Sequence, residues 1–145
     1  MRDSGRSAIR LAQPEDKEAI QRIYDAVVGP QASQDEALWD RFIQQGGLVV
    51  VTDEGRIVGF GGIDVDAAEQ VKWLYLLPQY QRAGLGSELL RRLENIGWEA
   101  GLDSLRVHSA PRAVHFYRRH GYRLVETHEH TEHDHEGVEM TKARP

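Results

Sequence analysis

Two glycines one residue apart, Gly84 and Gly86, interrupt the stretch YQRAGLGSELLRRL from Tyr80 to Leu93, where polar, cationic residues turn into a leucine-spaced helix. Glycine permits positive φ and lets a ligand touch the main chain, and the first N–H groups of a helix are unpaired and partly positive. Successive amides there can converge on a phosphate. Arg82 adds a cation at the rim and Ser87 a hydroxyl in the first turn. A Rossmann fingerprint would need a third glycine and a preceding βαβ strand, and a Walker A loop would need Gly-Lys-Ser/Thr, so the segment predicts a pyrophosphate cradle of another kind. The rival reading of a lone G-x-G is a tight turn.

A second chemical concentration is THEHTEHDHEG, Thr127 to Gly137, with His128, His130, His133 and His135 among four acids. Strand alternation would put His128 and His130 on one face, so a metal site is geometrically conceivable, but a solvated hairpin is the simpler account. The chain has no cysteine, which excludes disulfides, zinc–thiolate sites and thiol nucleophiles.

The elements that must position these groups follow from periodicity. Ala8 to Leu11 reads as a short strand. Gln13-Pro14-Glu15-Asp16 opens a helix with Ile20, Ile23, Tyr24 and Val27 on one face, ended by Gly29-Pro30. Ser33 and Glu36 form a capping box ahead of Leu38, Trp39, Phe42 and Ile43, with Gly46-Gly47 as the stop. Leu48 to Thr52 and Ile57 to Val65 form a hairpin around Asp53-Glu54-Gly55. Gln70 to Pro78 predicts a strand buried on both faces. After the glycines, Leu89, Leu93, Ile96 and Ala100 share a helical stripe closed by Gly101. Ser104 to His108 is a strand, and Pro111 starts a helix with Ala113, Phe116 and Tyr117 on one side, stopped by Gly121. Tyr122 to Glu129 and Val138 to Ala143 read as closing strands around the histidine-rich connection. The order β α α β β β α β α β β is a mixed α/β domain over residues 1–145, with no linker or repeat.

At 145 residues the chain is sized for one core. The formal charge of −5 and the lack of a basic stripe oppose nucleic-acid binding, and Trp39, Trp73 and Trp98 read as packing residues. No apolar run approaches the roughly 18 residues that span a bilayer, and the N-terminus lacks the apolar segment of a signal peptide, so no membrane partner and a cytoplasmic location are expected.

The sequence resembles the GNAT N-acetyltransferases, which use acetyl-CoA. Their signature Gln/Arg-x-x-Gly-x-Gly/Ala is matched by Gln81-Arg82-Ala83-Gly84-Leu85-Gly86, and IRLAQPED, APRAVHFYRRHGYRL and VEMTK are similar to other blocks of that family in the same order. The resemblance implies a mostly antiparallel sheet with splayed central strands flanked by helices. It implies that the amides from Arg82 through Ser87 hold the pyrophosphate of coenzyme A. The main chain of Leu76 and Leu77 would meet its pantetheine arm, as an added strand does. A backbone N–H near Leu76 would polarise the acetyl carbonyl.

Transfer to an amine needs a neutral nucleophile, a stabilised oxyanion and a proton for the departing thiolate. Tyr117 is the expected general acid, because a phenol stays protonated at neutral pH and because Phe116-Tyr117 with Gly121-Tyr122 matches the family's spacing. Its rival role is to pack the last helix on the sheet. His108, at the strand end across the cleft, is the candidate base by residue type, with a water chain as the alternative. Two positions depart from the family pattern. Ala110 stands where many members carry a cofactor-contacting asparagine, a contact Ser109 is placed to replace, and Gln70 stands where some carry a basic glutamate. Neighbouring Glu69 is expected on the other side of the strand. The histidine-rich hairpin would line the acceptor site and recognise a cationic amine. The expected acceptor is a primary amine on a small molecule or peptide, attacked directly in a ternary complex, and a homodimer is compatible with the resemblance. The contrasting reading is a noncatalytic CoA-binding or metal-sensing module.

Overall fold

A computed structural model describes residues 7–29, 36–81, 84–125 and 137–145. They form seven strands and four α-helices. The strands are β1 (Ser7–Leu11), β2 (Leu48–Asp53), β3 (Arg56–Ile63), β4 (Val71–Leu76), β5 (Ser104–Ser109), β6 (Arg123–Leu124) and β7 (Val138–Ala143). The helices are α1 (Lys17–Val28), α2 (Glu36–Gln44), α3 (Leu85–Glu99) and α4 (Val114–Arg119). One open sheet runs β1-β2-β3-β4-β5-β7-β6. Every pairing is antiparallel except β4 with β5, which is parallel.

Helices cover both faces, which explains why β2 is apolar without alternation. Val49 and Val51 pack with Leu89 and Leu93 of α3, while Leu48 and Val50 pack with Ile20 of α1 and Phe42 of α2. On the second face Trp39 is 1% exposed and sits 4.9 Å from Trp73 and 5.6 Å from Phe60 between ring centroids, so these two tryptophans are core. Trp98 packs half-buried on the α3 side.

The element order and most boundaries match the periodicity. Three segments differ. Pro14–Asp16 forms a 3-10 turn, closed by the Asp16 N–H on the Gln13 carbonyl at 2.9 Å, and α1 proper begins at Lys17. β4 is buried only at Val71 and Leu76, with Lys72 exposed, which overturns the expectation of burial on both faces. The reason is that β5 pairs with β4 at a single position, Val71 with Val107. Ser33 of the capping box and residues 126–136, including His128, His130, His133 and His135, lie outside the described residues. Of the strand expected from Tyr122, β6 covers Arg123–Leu124, and the Val125 N–H continues the pairing to the Glu139 carbonyl at 2.9 Å.

Two polar anchors fix the ends of this framework. Glu94, 6% exposed on α3, accepts from the Tyr122 hydroxyl at 2.8 Å and from Lys142 Nζ at 3.1 Å, tying the closing strands to the helix. Asp16 accepts from Arg10 Nη1 at 2.8 Å, Arg10 Nη2 at 3.1 Å and the Gln13 N–H at 2.7 Å, joining β1 to the start of α1. The Arg10 hydrogen bonds outweigh burial and hold the Asp16 carboxyl below its ordinary range. Asp16→Asn should therefore cost about 1–2 kcal/mol at neutral pH, after discounting for the half-exposed arginine. A depressed pKa stabilises above the unfolded value and is lost as pH falls through the folded one. The melting-temperature gap between wild type and variant should be full above about pH 4 and close below it. A gap that is the same at pH 3 and pH 7, roughly either side of that value, rules out the charged anchor.

Candidate active site

Beyond Val71 and Val107 the two parallel strands separate, and a cleft of about 580 Å³ opens between them, walled by β4, β5 and α4. Gln70 closes its narrow end. Its Oε1 accepts the Arg106 N–H at 2.8 Å and its Nε2 donates to the Ala67 carbonyl at 2.9 Å, so the amide clamps the two strands just before they part. A residue used this way has no proton to accept, in keeping with its departure from a basic role.

Register decides which main-chain groups β4 turns toward the cleft. Leu76 lies opposite Gly59, and the Leu77 N–H donates to the Val58 carbonyl at 2.9 Å, which makes Leu76–Gly59 a non-hydrogen-bonded pair. The N–H and C=O of Leu76 therefore point into the cleft, and those of Leu74 do so by the same alternation. The Leu76 carbonyl accepts from Gln81 Nε2 at 3.0 Å, leaving its N–H facing the gap. Leu77 is placed otherwise than the sequence suggests. Its N–H is held by Val58, so it offers no donor to a ligand, and its carbonyl already accepts from the Tyr80 N–H at 2.9 Å. The sequence reading missed Leu74, a position visible only once the register is known.

The glycine segment lies at the mouth. Gly84 caps α3 with φ +80°, a left-handed conformation that glycine adopts without strain. The first helical bond donates from Glu88 to the Gly84 carbonyl, so the N–H groups of Leu85, Gly86 and Ser87 are free of intrahelical partners. Gly86 borders the cleft, and a Cβ there would sit 3.6 Å from Leu76 Cδ1 and from the Phe116 ring. The protein's own packing tolerates such a carbon, so what it would fill is cleft. Bared amides at the start of a fifteen-residue helix fit a diphosphate. Arg82 and Ala83 lie outside the described residues.

Tyr117 enters the cleft wall from α4 and is 6% exposed. Among the described residues nothing hydrogen-bonds its hydroxyl. Burial, and after it the Tyr75 phenol, push its pKa well above the ordinary tyrosine value, so it is a proton donor throughout the physiological range. Tyr75, in the β4 wall, is a cleft residue the sequence reading passed over. Ser109 is buried and its Oγ donates to the Ala110 carbonyl at 2.8 Å, which commits the hydroxyl proton.

His108 borders the cleft on the face away from α3, because Leu105 and Val107 occupy the α3 side. Its Nδ1 lies 2.8 Å from Glu139 Oε2 on the paired strand. Gly137 packs against Nε2 so closely that a Cβ there would collide with the ring. Glu69 completes a cluster in which donor atoms of Glu69, His108 and Glu139 lie within 4.8 Å of one another. Strand alternation had put Glu69 on the far side, but β4 begins only at Val71, and alternation does not govern the turn before it. Proton-sharing with Glu139, then partial burial, hold the Glu69 carboxyl above its ordinary value. Burial pushes Glu139 up too, but hydrogen bonds from Glu69 and His108 prevail and hold it below. Glu139 Oε1 is buried without a well-formed hydrogen bond among the described residues, and a protonated Glu69 is best placed to supply one.

Comparison with known proteins supplies a family. The sequence profile of the Acetyltransferase (GNAT) domain matches residues 11–144. An uncharacterized N-acetyltransferase of Bacillus subtilis is 28% identical over 78 residues, 53% of this chain and about half, 56%, of that protein's length. A GCN5-related N-acetyltransferase structure from Rhodopseudomonas palustris superposes with TM-score 0.78 at 23% identity, covering 99% of both chains. The YncA protein of Salmonella typhimurium, solved with its cofactor acetyl-CoA, superposes with TM-score 0.74 at 18% identity over 94% of this chain and 93% of its own.

The carboxyl pair is directly measurable. Glu139→Gln removes the neighbouring negative charge and places an amide N–H that can donate to the Glu69 carboxylate, so the Glu69 carboxyl should titrate lower than in wild type, as read by carbon NMR of labelled glutamate. An unchanged or higher value would separate the two carboxyls.

Proposed function

Because this chain belongs to the GNAT acetyltransferase family, we propose that it transfers an acetyl group from acetyl-CoA to a primary amine of a small molecule or peptide by direct attack within a ternary complex. The observation that carries the reading is the cleft between β4 and β5, into which the Leu76 N–H and the Tyr117 phenol, which has no hydrogen-bond partner among the described residues, converge.

Bound acetyl-CoA supplies a thioester and a leaving thiolate. The amides of Leu85, Gly86 and Ser87 hold its diphosphate, with Arg82 and Ala83 continuing the signature, and Gln81 secures the loop through Leu76. Amide groups of the pantetheine arm pair with β4 where β5 has left it, at Leu74 and Leu76. The Leu76 N–H donates to the acetyl oxygen as charge develops there.

The acceptor must shed a proton before it attacks. His108 takes it, with Glu139 fixing the ring through Nδ1 and Glu69 holding a shared proton beside it. The nitrogen–carbon bond forms as the carbon–sulfur bond breaks, Tyr117 gives its hydroxyl proton to sulfur, and the second proton that the nitrogen sheds on becoming an amide passes through solvent and reloads the phenolate. Burial raises the phenol's pKa, which keeps the acid loaded, and the thiolate it protonates is formed beside it.

Free-thiol release from acetyl-CoA, measured against polyamines, amino acids, aminoglycosides and peptide N-termini, tests the reaction. Tight cofactor binding with no release for any acceptor would make the protein a noncatalytic CoA-binding module. Tyr117→Phe should lower kcat by about 100-fold or more while leaving coenzyme A affinity unchanged. Parallel loss of both would reduce Tyr117 to a packing residue. Gly86→Val should do the converse, filling the cradle and abolishing coenzyme A binding while the melting temperature of the free protein stays near wild type.

A further inference from the structure

Behind the phosphate cradle lies an imidazole that the transfer reaction does not use. His120, immediately after α4, places Nε2 2.9 Å from Ser87 Oγ in the first turn of α3. Its ring packs on Phe116 at 4.8 Å between centroids. The charged groups that face it are Glu94 and Arg91 from α3, Lys142 from β7 and Arg119 from α4. Burial lowers the pKa of the ring, and the three cations outnumber the one carboxylate, which is itself held by Tyr122 and Lys142. The free protein therefore carries a neutral His120 at pH 7.

A serine hydroxyl has one proton to give. With the cradle empty, Ser87 can donate that proton to Nε2. A phosphate oxygen drawn to the amides of Leu85, Gly86 and Ser87 offers a stronger, charged acceptor at the same turn. Once the hydroxyl turns to the phosphate, Ser87 Oγ can only accept from the imidazole, so Nε2 must carry hydrogen. The incoming anion favours the imidazolium over the other neutral tautomer, because its charge lies one hydroxyl away in a partly buried setting.

We propose that His120 is a positioning residue of the coenzyme A phosphate site, acting through Ser87, and that its ring takes up a proton as coenzyme A binds. The inference rests on the cofactor reading above. Its sign follows from linkage. A group whose pKa is higher in the complex strengthens binding at low pH, and the gain is lost as pH rises through the bound-state value.

The test is calorimetric titration of coenzyme A into the full chain, from about pH 6 to pH 8, in two buffers of different ionisation enthalpy. Dephospho-coenzyme A is run in parallel, because a terminal phosphate itself titrates near pH 6. Wild type should take up more protons than His120→Gln with both ligands, and its affinity should weaken by about three- to tenfold more across that interval. The glutamine amide can donate to Ser87 or accept from it and does not titrate, so affinity in that variant should follow only the ligand's own titration. Ser87→Ala leaves the imidazole in place but cuts the relay, and should lose the same excess proton. Equal uptake in wild type and His120→Gln, or full uptake retained in Ser87→Ala, overturns the proposal while leaving the cofactor site standing. No coenzyme A binding by wild type at any pH removes both.

Discussion

A single parallel contact governs this molecule. β4 and β5 meet at Val71 and Val107 and then part, although the β1–β2, β2–β3, β3–β4 and β5–β7 pairs of the same sheet each run several residues. Parting strands leave main-chain donors and acceptors without a ladder, and buried backbone groups need partners. Here some partners are internal. Gln70 supplies a side-chain amide to Arg106 at the vertex, and Gln81 supplies one to the Leu76 carbonyl at the mouth. What stays open toward the gap includes the N–H of Leu76, the kind of edge that an extended ligand bearing amides completes as a strand would.

Such a gap is sustained because the α3 side does not part with the strands. Val71 of β4, Val107 of β5, Leu89 and Leu93 of α3 and Met140 of β7 share one buried cluster. The helix therefore bridges the divergence like a splint. Glu94 extends the bridge in polar form, gripping Tyr122 and Lys142 on the closing strands. On the opposite face the aromatic cluster of Trp39, Phe60 and Trp73 stays with β2, β3 and β4. Among the described residues the aromatic cluster does not continue onto β5, where that face carries His108, with Glu139 beside it on β7.

Much of this was legible in the sequence, for reasons that differ by element. The helices declared themselves through stripes such as Ile20–Ile23–Tyr24, and their stops through Gly101 and Gly121, both at positive φ in the structure. The glycine-capped start of α3 was legible because glycines at a strand-to-helix junction state a backbone requirement. The carboxylate end was not. Glu69 sits in a turn where alternation carries no information, Glu139 meets His108 only through the β5–β7 register, and Gln70 acquires its role from a strand more than thirty residues away. β4 was misread for a related reason. Its apolar run is that of a buried strand, and its half-exposure comes from β5 leaving it, a fact about pairing that no local pattern records.

The two kinds of group at the cleft also sit on different sides of the sheet. Helix α3, with its bared amides and partial positive charge, packs on the face that holds Leu105 and Val107, while Glu69, His108 and Glu139 gather on the other. An anionic carrier and a cationic amine would then approach from opposite faces, each drawn by the charge it meets, and would come together only at the gap. The strand divergence is what makes that meeting possible, since a continuous ladder between β4 and β5 would wall one face from the other. In the proposed reaction the same geometry would separate the proton tasks. Tyr117 stands on the α4 wall where a leaving sulfur would emerge, and His108 stands across the gap where an amine would arrive. A proton lost on one side and a proton gained on the other would then need no shared residue.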